Sequence, residues 1–178
     1  MRVVDGSSAK RDNFYRLTGE VIRGWAKLEL CLSAWLIDLL GIDELRSRIV
    51  WDSYGDLRSK LKLLKVLTRN FADESLWKEA NEIMADVETI AENRYILPHA
   101  FGDVDEAETT LTFASERADA DFVINFLEEK AVGTSALRDW LDHIRDSQDR
   151  VTAFRSGLGT RVHQRSLMQR RSLNEVPS

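Results

Sequence analysis

The sequence predicts an all-α protein: a helical bundle of four or more helices, with a small β-hairpin or loop insert. Three observations carry that expectation. Apolar residues recur at steps of three and four along several separate stretches, the mark of helices that each bury one face. The 178 residues include only 9 Gly and 2 Pro, so few positions interrupt a helix. Strand-like alternation is confined to one short region, residues 109–127.

Residues 1–8 are expected to fray. A long first helix follows over residues 10–40, where Leu17, Val21, Trp25, Leu28, Leu32, Trp35 and Leu39 form the stripe. Ile22, Leu36 and Leu40 widen it, which predicts burial on more than one side, and Gly41 is a natural stop. Residues 42–54 read as a short helix or turn, with Asp52 or Ser53 as cap for the next element. That element carries Leu57, Leu61, Leu64 and Phe71 on one face, widened by Leu63 and Leu67. Arg58, Lys60, Lys62, Lys65 and Arg69 lie elsewhere on it, either as a solvated face or to steer phosphates. Asp73 restarts the chain, and the next helix runs on the stripe Leu76, Ala80, Ile83, Val87 and Ile90.

Beyond residue 102 the chain turns acidic. Residues 109–113 and 122–127 are the candidate hairpin strands, with residues 115–121 as the loop. Gly133 and Thr134 then open a last helix with Leu137, Leu141, Ile144, Val151, Phe154 and Leu158 on one side. Residues 161–178 hold Arg161, Arg165, Arg170 and Arg171 against Glu175; they read as a disordered basic tail or, alternatively, as a helical extension.

The net charge of −5 argues against a chain coated in cations for duplex DNA, while leaving room for a local basic patch. The single cysteine, Cys31, sits in an apolar helical run and is expected to be a buried, inert thiol. One cysteine gives neither an internal disulfide nor a zinc cluster, so a reducing cytoplasm is the expected setting. No signal peptide and no membrane span is visible, and no pattern calls for a metal or cofactor.

The stripe of the helix before residue 95 breaks its own rule. After Ile90 the next position is Arg94, a permanent cation where an apolar residue is due. Pro98 follows four residues later; its ring clashes with the carbonyl of Arg94, so the helix should kink or end. His99 comes next, and its side chain exchanges protons near neutral pH. A second Arg–His pair, Arg138 and His143, has the same spacing. Five positions along an unbroken helix turn a side chain by about 140°, which points such a pair apart. Only the first pair has a helix breaker to bring its members together.

Arg94, four intervening residues and His99 resemble the motif of the HEPN superfamily (higher eukaryotes and prokaryotes nucleotide-binding). The order of elements is also similar: a long first helix with Trp, further helices to the motif, a short insert and a long final helix. The resemblance implies a single HEPN-like helical domain over residues 1–160, with residues 161–178 as its tail. It implies a metal-independent endoribonuclease of toxin or phage-defence type, acting as a homodimer on RNA and sometimes held by an antitoxin or partner protein. Arg94 and His99 would then be catalytic, with Asn93 and Glu29 in support. Two positions depart from the pattern: Tyr95 follows the Arg in place of Asn, Asp or His, and Phe101 stands where some toxin members have Tyr.

The residue types permit that chemistry. His99 can take or give a proton, and Arg94 can bind non-bridging phosphate oxygens in a bidentate fork. Glu29 lies on the apolar side of the first helix, one heptad from Ile22 and Leu36. It is either a rim carboxylate or the partner that orients Arg94 and offsets the desolvation of a buried cation. The alternative function is a catalytically degenerate helical binding or scaffold module, in which Arg94 and Glu29 form a bundle-spanning ion pair.

Overall fold

A computed structural model describes the backbone of residues 6–94, 110–118 and 124–174, and the side chains of residues 9–92 and 132–158. The protein is an all-α helical bundle with one short strand pair. Its elements are α1 (Gly6–Leu40), α2 (Glu44–Asp52), α3 (Leu57–Phe71), α4 (Glu74–Arg94), β1 (Thr110–Ala118), β2 (Ile124–Gly133) and α5 (Thr134–Asn174). The backbone falls into two compact units, one of residues 1–26 with 89–145, the other of residues 27–88 with 146–178.

In the first unit the buried apolar side chains among the described residues are Phe14, Leu17, Val21 and Trp25 of α1, Ile90 of α4, Val132 of β2, and Leu137, Leu141 and Ile144 of α5. Gly24 sets how closely α1 approaches α5: a Cβ there would lie 3.2 Å from Ile144 Cγ2 and 3.4 Å from Leu141 Cδ1. Glu20 accepts from Arg16 at 2.5 Å and also faces Arg145 at 3.9 Å. Strands β1 and β2 pair antiparallel, with Leu111 opposite Val132 and Glu116 opposite Phe126; a register shift lies between Phe113 and Ser115. The expected hairpin is therefore present and longer than its β-prone cores, since residues 115–118, read as loop, continue the ladder.

In the second unit α1 contributes Leu28, Leu32, Trp35, Leu36 and Leu39, and α3 contributes Leu61 and Leu64. From α4 come Leu76, Ala80, Ile83, Met84 and Val87, and from α5 Val151, Phe154 and Leu158. The rings of Trp35 and Phe154 stack at a tilt of 52°, their centroids 4.5 Å apart. Ser47 of α2 donates its hydroxyl to the Ser33 carbonyl at 3.0 Å, which ties the short helix to α1. Gly41 ends α1 with φ 63°, a left-handed conformation that glycine adopts without Cβ strain.

Several boundaries differ from expectation for local reasons. Asp43 caps α2 by accepting from the Arg46 N–H, and Asp56 caps α3 by accepting from the Ser59 N–H. Neither Asp52 nor Ser53 caps α3: Asp52 is the last residue of α2, and Ser53 closes that helix, its N–H donating to the Ile49 carbonyl while the Tyr54 N–H donates to that of Trp51. Asp73 restarts the chain as expected, accepting from the Leu76 N–H at 2.9 Å. The widened face of α1 is narrower than predicted: Leu36 is buried, but Ile22 and Leu40 are exposed. Cys31 is half-buried, not buried, because it lies at the edge of the stripe. Helix α5 runs on past Gly157 to Asn174, so residues 161–174 are helical where a disordered tail was the first expectation. Gly157 has a helical φ and open space around it, so it lowers helix propensity without forcing a stop.

Two consequences can be measured. Thr68 is fully buried, and among the described residues its hydroxyl has no hydrogen-bond partner. Thr68→Val should therefore raise stability by about 1 kcal/mol in urea unfolding, whereas Phe154→Ala should lower it by about 3–5 kcal/mol. Asp56 supplies a pH-dependent effect. The Ser59 N–H at 2.8 Å and the Ser59 hydroxyl at 2.7 Å, helped by Arg58, hold its carboxyl below the ordinary value of 3.8. A lowered folded-state pKa stabilises the fold above the unfolded value, and this is lost as pH falls through the folded one. The stability gap between wild type and Asp56→Asn should thus be constant well above 3.8 and narrow as pH falls through that value towards the lowered one; a gap that stays constant on acidification would contradict this cap.

Candidate functional site

Helix α4 is the element that positions the motif. All five stripe residues before it are buried: Leu76, Ala80, Ile83, Val87 and Ile90. The next position on that stripe is Arg94, the last residue of α4. Its backbone thus continues the direction of a buried face. The side chains of Asn93 and Arg94, together with Tyr95, Pro98 and His99, lie outside the described residues. The expected approach of Arg94 to His99 and to Glu29 lies outside them as well. Glu29 itself is half-buried on α1, and no basic group pairs with it among the described residues.

The second Arg–His pair is fully described. Arg138 and His143 are both exposed on α5, while Leu137, Leu141 and Ile144 occupy its buried face. One continuous helix carries both residues, so their side chains leave it about 140° apart. They form no common site.

A different set of charged groups comes together on α3. Lys65 reaches Glu88 of α4 at 3.0 Å, and Arg69 reaches Glu74 at 2.8 Å. The Arg69 guanidinium also lies 5.4 Å from the Trp77 ring centroid, and the Lys60 ammonium 5.2 Å from that of Trp51. Such cation–π contacts hold long side chains over a ring while leaving them free to meet an anion. The basic residues of α3 were visible in the sequence. Their partners Glu74, Glu88, Trp51 and Trp77 were not, because the contacts cross between elements. Among the described residues no group of three or more His, Cys, Asp or Glu side chains could hold a metal ion, and no helix is long and apolar enough to cross a membrane.

No family model, no curated protein and no solved structure matches this chain.

The geometry of the second pair gives a direct expectation. Arg138→Ala and His143→Ala, alone or combined, should shift unfolding free energy by less than about 0.5 kcal/mol, as exposed substitutions away from caps and packed contacts do. Chemical denaturation of the matched variants checks it, and a loss above about 2 kcal/mol would mean that the pair has a structural partner.

Proposed function

We propose that this chain is a metal-independent endoribonuclease of HEPN type, of the kind that serves as a toxin or in phage defence. One observation carries the reading: the uniformly buried stripe of α4 arrives at Arg94, with Pro98 and His99 just beyond it in sequence. The order of elements supports it, since a strand pair and a long final helix follow. In the reaction the 2′-hydroxyl of RNA attacks the adjacent phosphorus as its proton passes to His99. The bond from phosphorus to the 5′-oxygen breaks, and that oxygen takes a proton from a second histidine. The products are a 2′,3′-cyclic phosphate and a free 5′-hydroxyl. Arg94 neutralises the charge that builds on the non-bridging oxygens. One His99 per chain cannot be acid and base in the same step, so the active form is a two-fold dimer with one His99 from each copy. Asn93 and Glu29 orient the pair, and an antitoxin or partner protein is a natural regulator.

A second reading is a helical binding or scaffold module without catalysis. It is favoured by Leu45 and Ile49, one turn apart on α2 and 70% and 63% exposed, an apolar surface suited to a partner. Tyr95 in the motif also fits it.

Cleavage of single-stranded RNA separates the two. The wild-type protein with a chelator present should cut RNA and leave DNA intact, since DNA lacks the 2′-hydroxyl. His99→Ala and Arg94→Ala should each lose about 10²-fold or more in rate, with circular dichroism unchanged. Equal rates for wild type and His99→Ala from matched preparations would end the catalytic reading.

A further inference from the structure

Helix α3 carries five cations, Arg58, Lys60, Lys62, Lys65 and Arg69, and no carboxylate, in a chain whose net charge is −5. Four of them, Arg58, Lys62, Lys65 and Arg69, follow steps of four, three and four, so they line one side of the helix as a row about 16 Å long. The row flanks the buried face made by Leu61, Leu64 and Thr68. Its two halves differ. Lys65 and Arg69 are each paired with a glutamate, whereas among the described residues no carboxylate forms an ion pair with Arg58 or Lys62, both exposed. Asp56 feels the charge of Arg58, but its oxygens are engaged in capping Ser59.

This placement runs against the helix's own electrostatics. The N-terminal end of a helix carries partial positive charge and favours acidic side chains. The N-cap Asp56 supplies that acidic group for α3, yet the second residue of the helix is Arg58, a cation in the first turn. Arg58 and Lys62, one turn apart, also repel each other. A local arrangement that opposes stability marks a site with another use, and here the missing component is an anion.

We infer that the row on α3 is the track along which an RNA strand lays its phosphates. The inference deepens the ribonuclease reading, from which it takes RNA as the ligand. A strand presents one negative charge per nucleotide in sequence, which suits cations repeated turn by turn along a helix. A protein partner would instead need apolar anchors at the centre and charges at the rim. In α3 the cations form the centre, and its exposed large apolar side chains among the described residues, Val66 and Phe71, are five residues apart and form no continuous patch. Arg69, the last cation of the row, is held in place over the Trp77 ring.

Fluorescence anisotropy with a labelled, single-stranded 2′-O-methyl RNA tests the inference, since that strand lacks the nucleophile and stays intact. The wild type should bind it, and log affinity should fall linearly with log salt. The double variant Arg58→Gln, Lys62→Gln should bind roughly tenfold more weakly at low salt, with its salt slope reduced by about 1.4, the value for two lost phosphate contacts on a single strand. The charge-matched control Lys10→Gln, Arg138→Gln should stay within about twofold of wild type, as bulk charge alone has little reach. A DNA strand of the same sequence that binds equally well supports the inference, because the row reads phosphate. No binding by the wild type, equal losses in both double variants, or binding of poly-glutamate in place of RNA would overturn it. Cleavage is scored separately on unmodified RNA. Binding without cleavage keeps the α3 track and removes the nuclease, while cleavage that persists in the α3 double variant with unchanged binding does the reverse.

Discussion

Burial of apolar stripes at helical spacing is the constraint on which the rest of this structure depends. Each of α1, α4 and α5 is long, and in a folded protein most helical stability comes from packing an apolar face, not from propensity. What holds each one is the row of large side chains that its periodicity brings to one face. The five stripe residues of α4 show how strictly this applies, since all are at most 7% exposed. Removing a methylene from such a face costs both transfer energy and packing, so volume at these positions is tightly set. Gly24 illustrates the same constraint from the other side. Its missing Cβ lets Ile144 and Leu141 close on α1, and a larger residue would force one of them to move.

Charge is layered on this apolar frame mainly as half-exposed cross-links. Arg155 donates to Asp38 at 2.6 Å, Arg150 pairs with Asp86, and Lys65 with Glu88. All three pairs keep water on at least part of each group, which avoids the full desolvation cost of a buried ion pair and equally limits what each contributes. Their value lies in register. Packing of the stripes already sets how the helices meet, and a pair such as Arg155–Asp38, between residues 117 positions apart, adds a further penalty to any slipped arrangement. The basic row of α3 differs because half of it has no such partner.

Periodicity made the helices legible, and each stripe residue named for the last helix is buried. Boundaries were harder, because a cap depends on which of several polar residues the backbone reaches first. Asp52, Ser53 and Asp56 are all chemically able to cap α3; Asp56 does so because α2 continues through Asp52 and ends with Ser53 folded back on it. Ile22 and Leu40 misled for a related reason: side-by-side stripes on one helix look continuous in sequence, yet only the face that meets another element is buried. Of the candidate site, the legible part was the interruption itself, an arginine on an apolar stripe ahead of a proline. Where the side chain five positions on is placed depends on the path after residue 94, which periodicity does not encode.

Arg94 sharpens the choice between the two functional readings through simple electrostatics. A guanidinium does not lose its proton in proteins, so unlike lysine it cannot escape a low-dielectric setting by neutralising. Its position in line with Leu76, Ala80, Ile83, Val87 and Ile90 therefore calls for a compensating anion or for water. The two readings differ in whether that anion is permanent. A carboxylate of the chain, such as Glu29, is always present and makes the arginine part of the fold. A phosphate of RNA arrives and leaves, so the free protein carries the uncompensated cation as a standing cost that substrate relieves. Arg58 and Lys62 on α3 are a different case, since both are exposed and water solvates them without a carboxylate partner. A permanent pair makes the arginine stabilise the free protein, whereas an arginine kept for a phosphate stabilises only the complex.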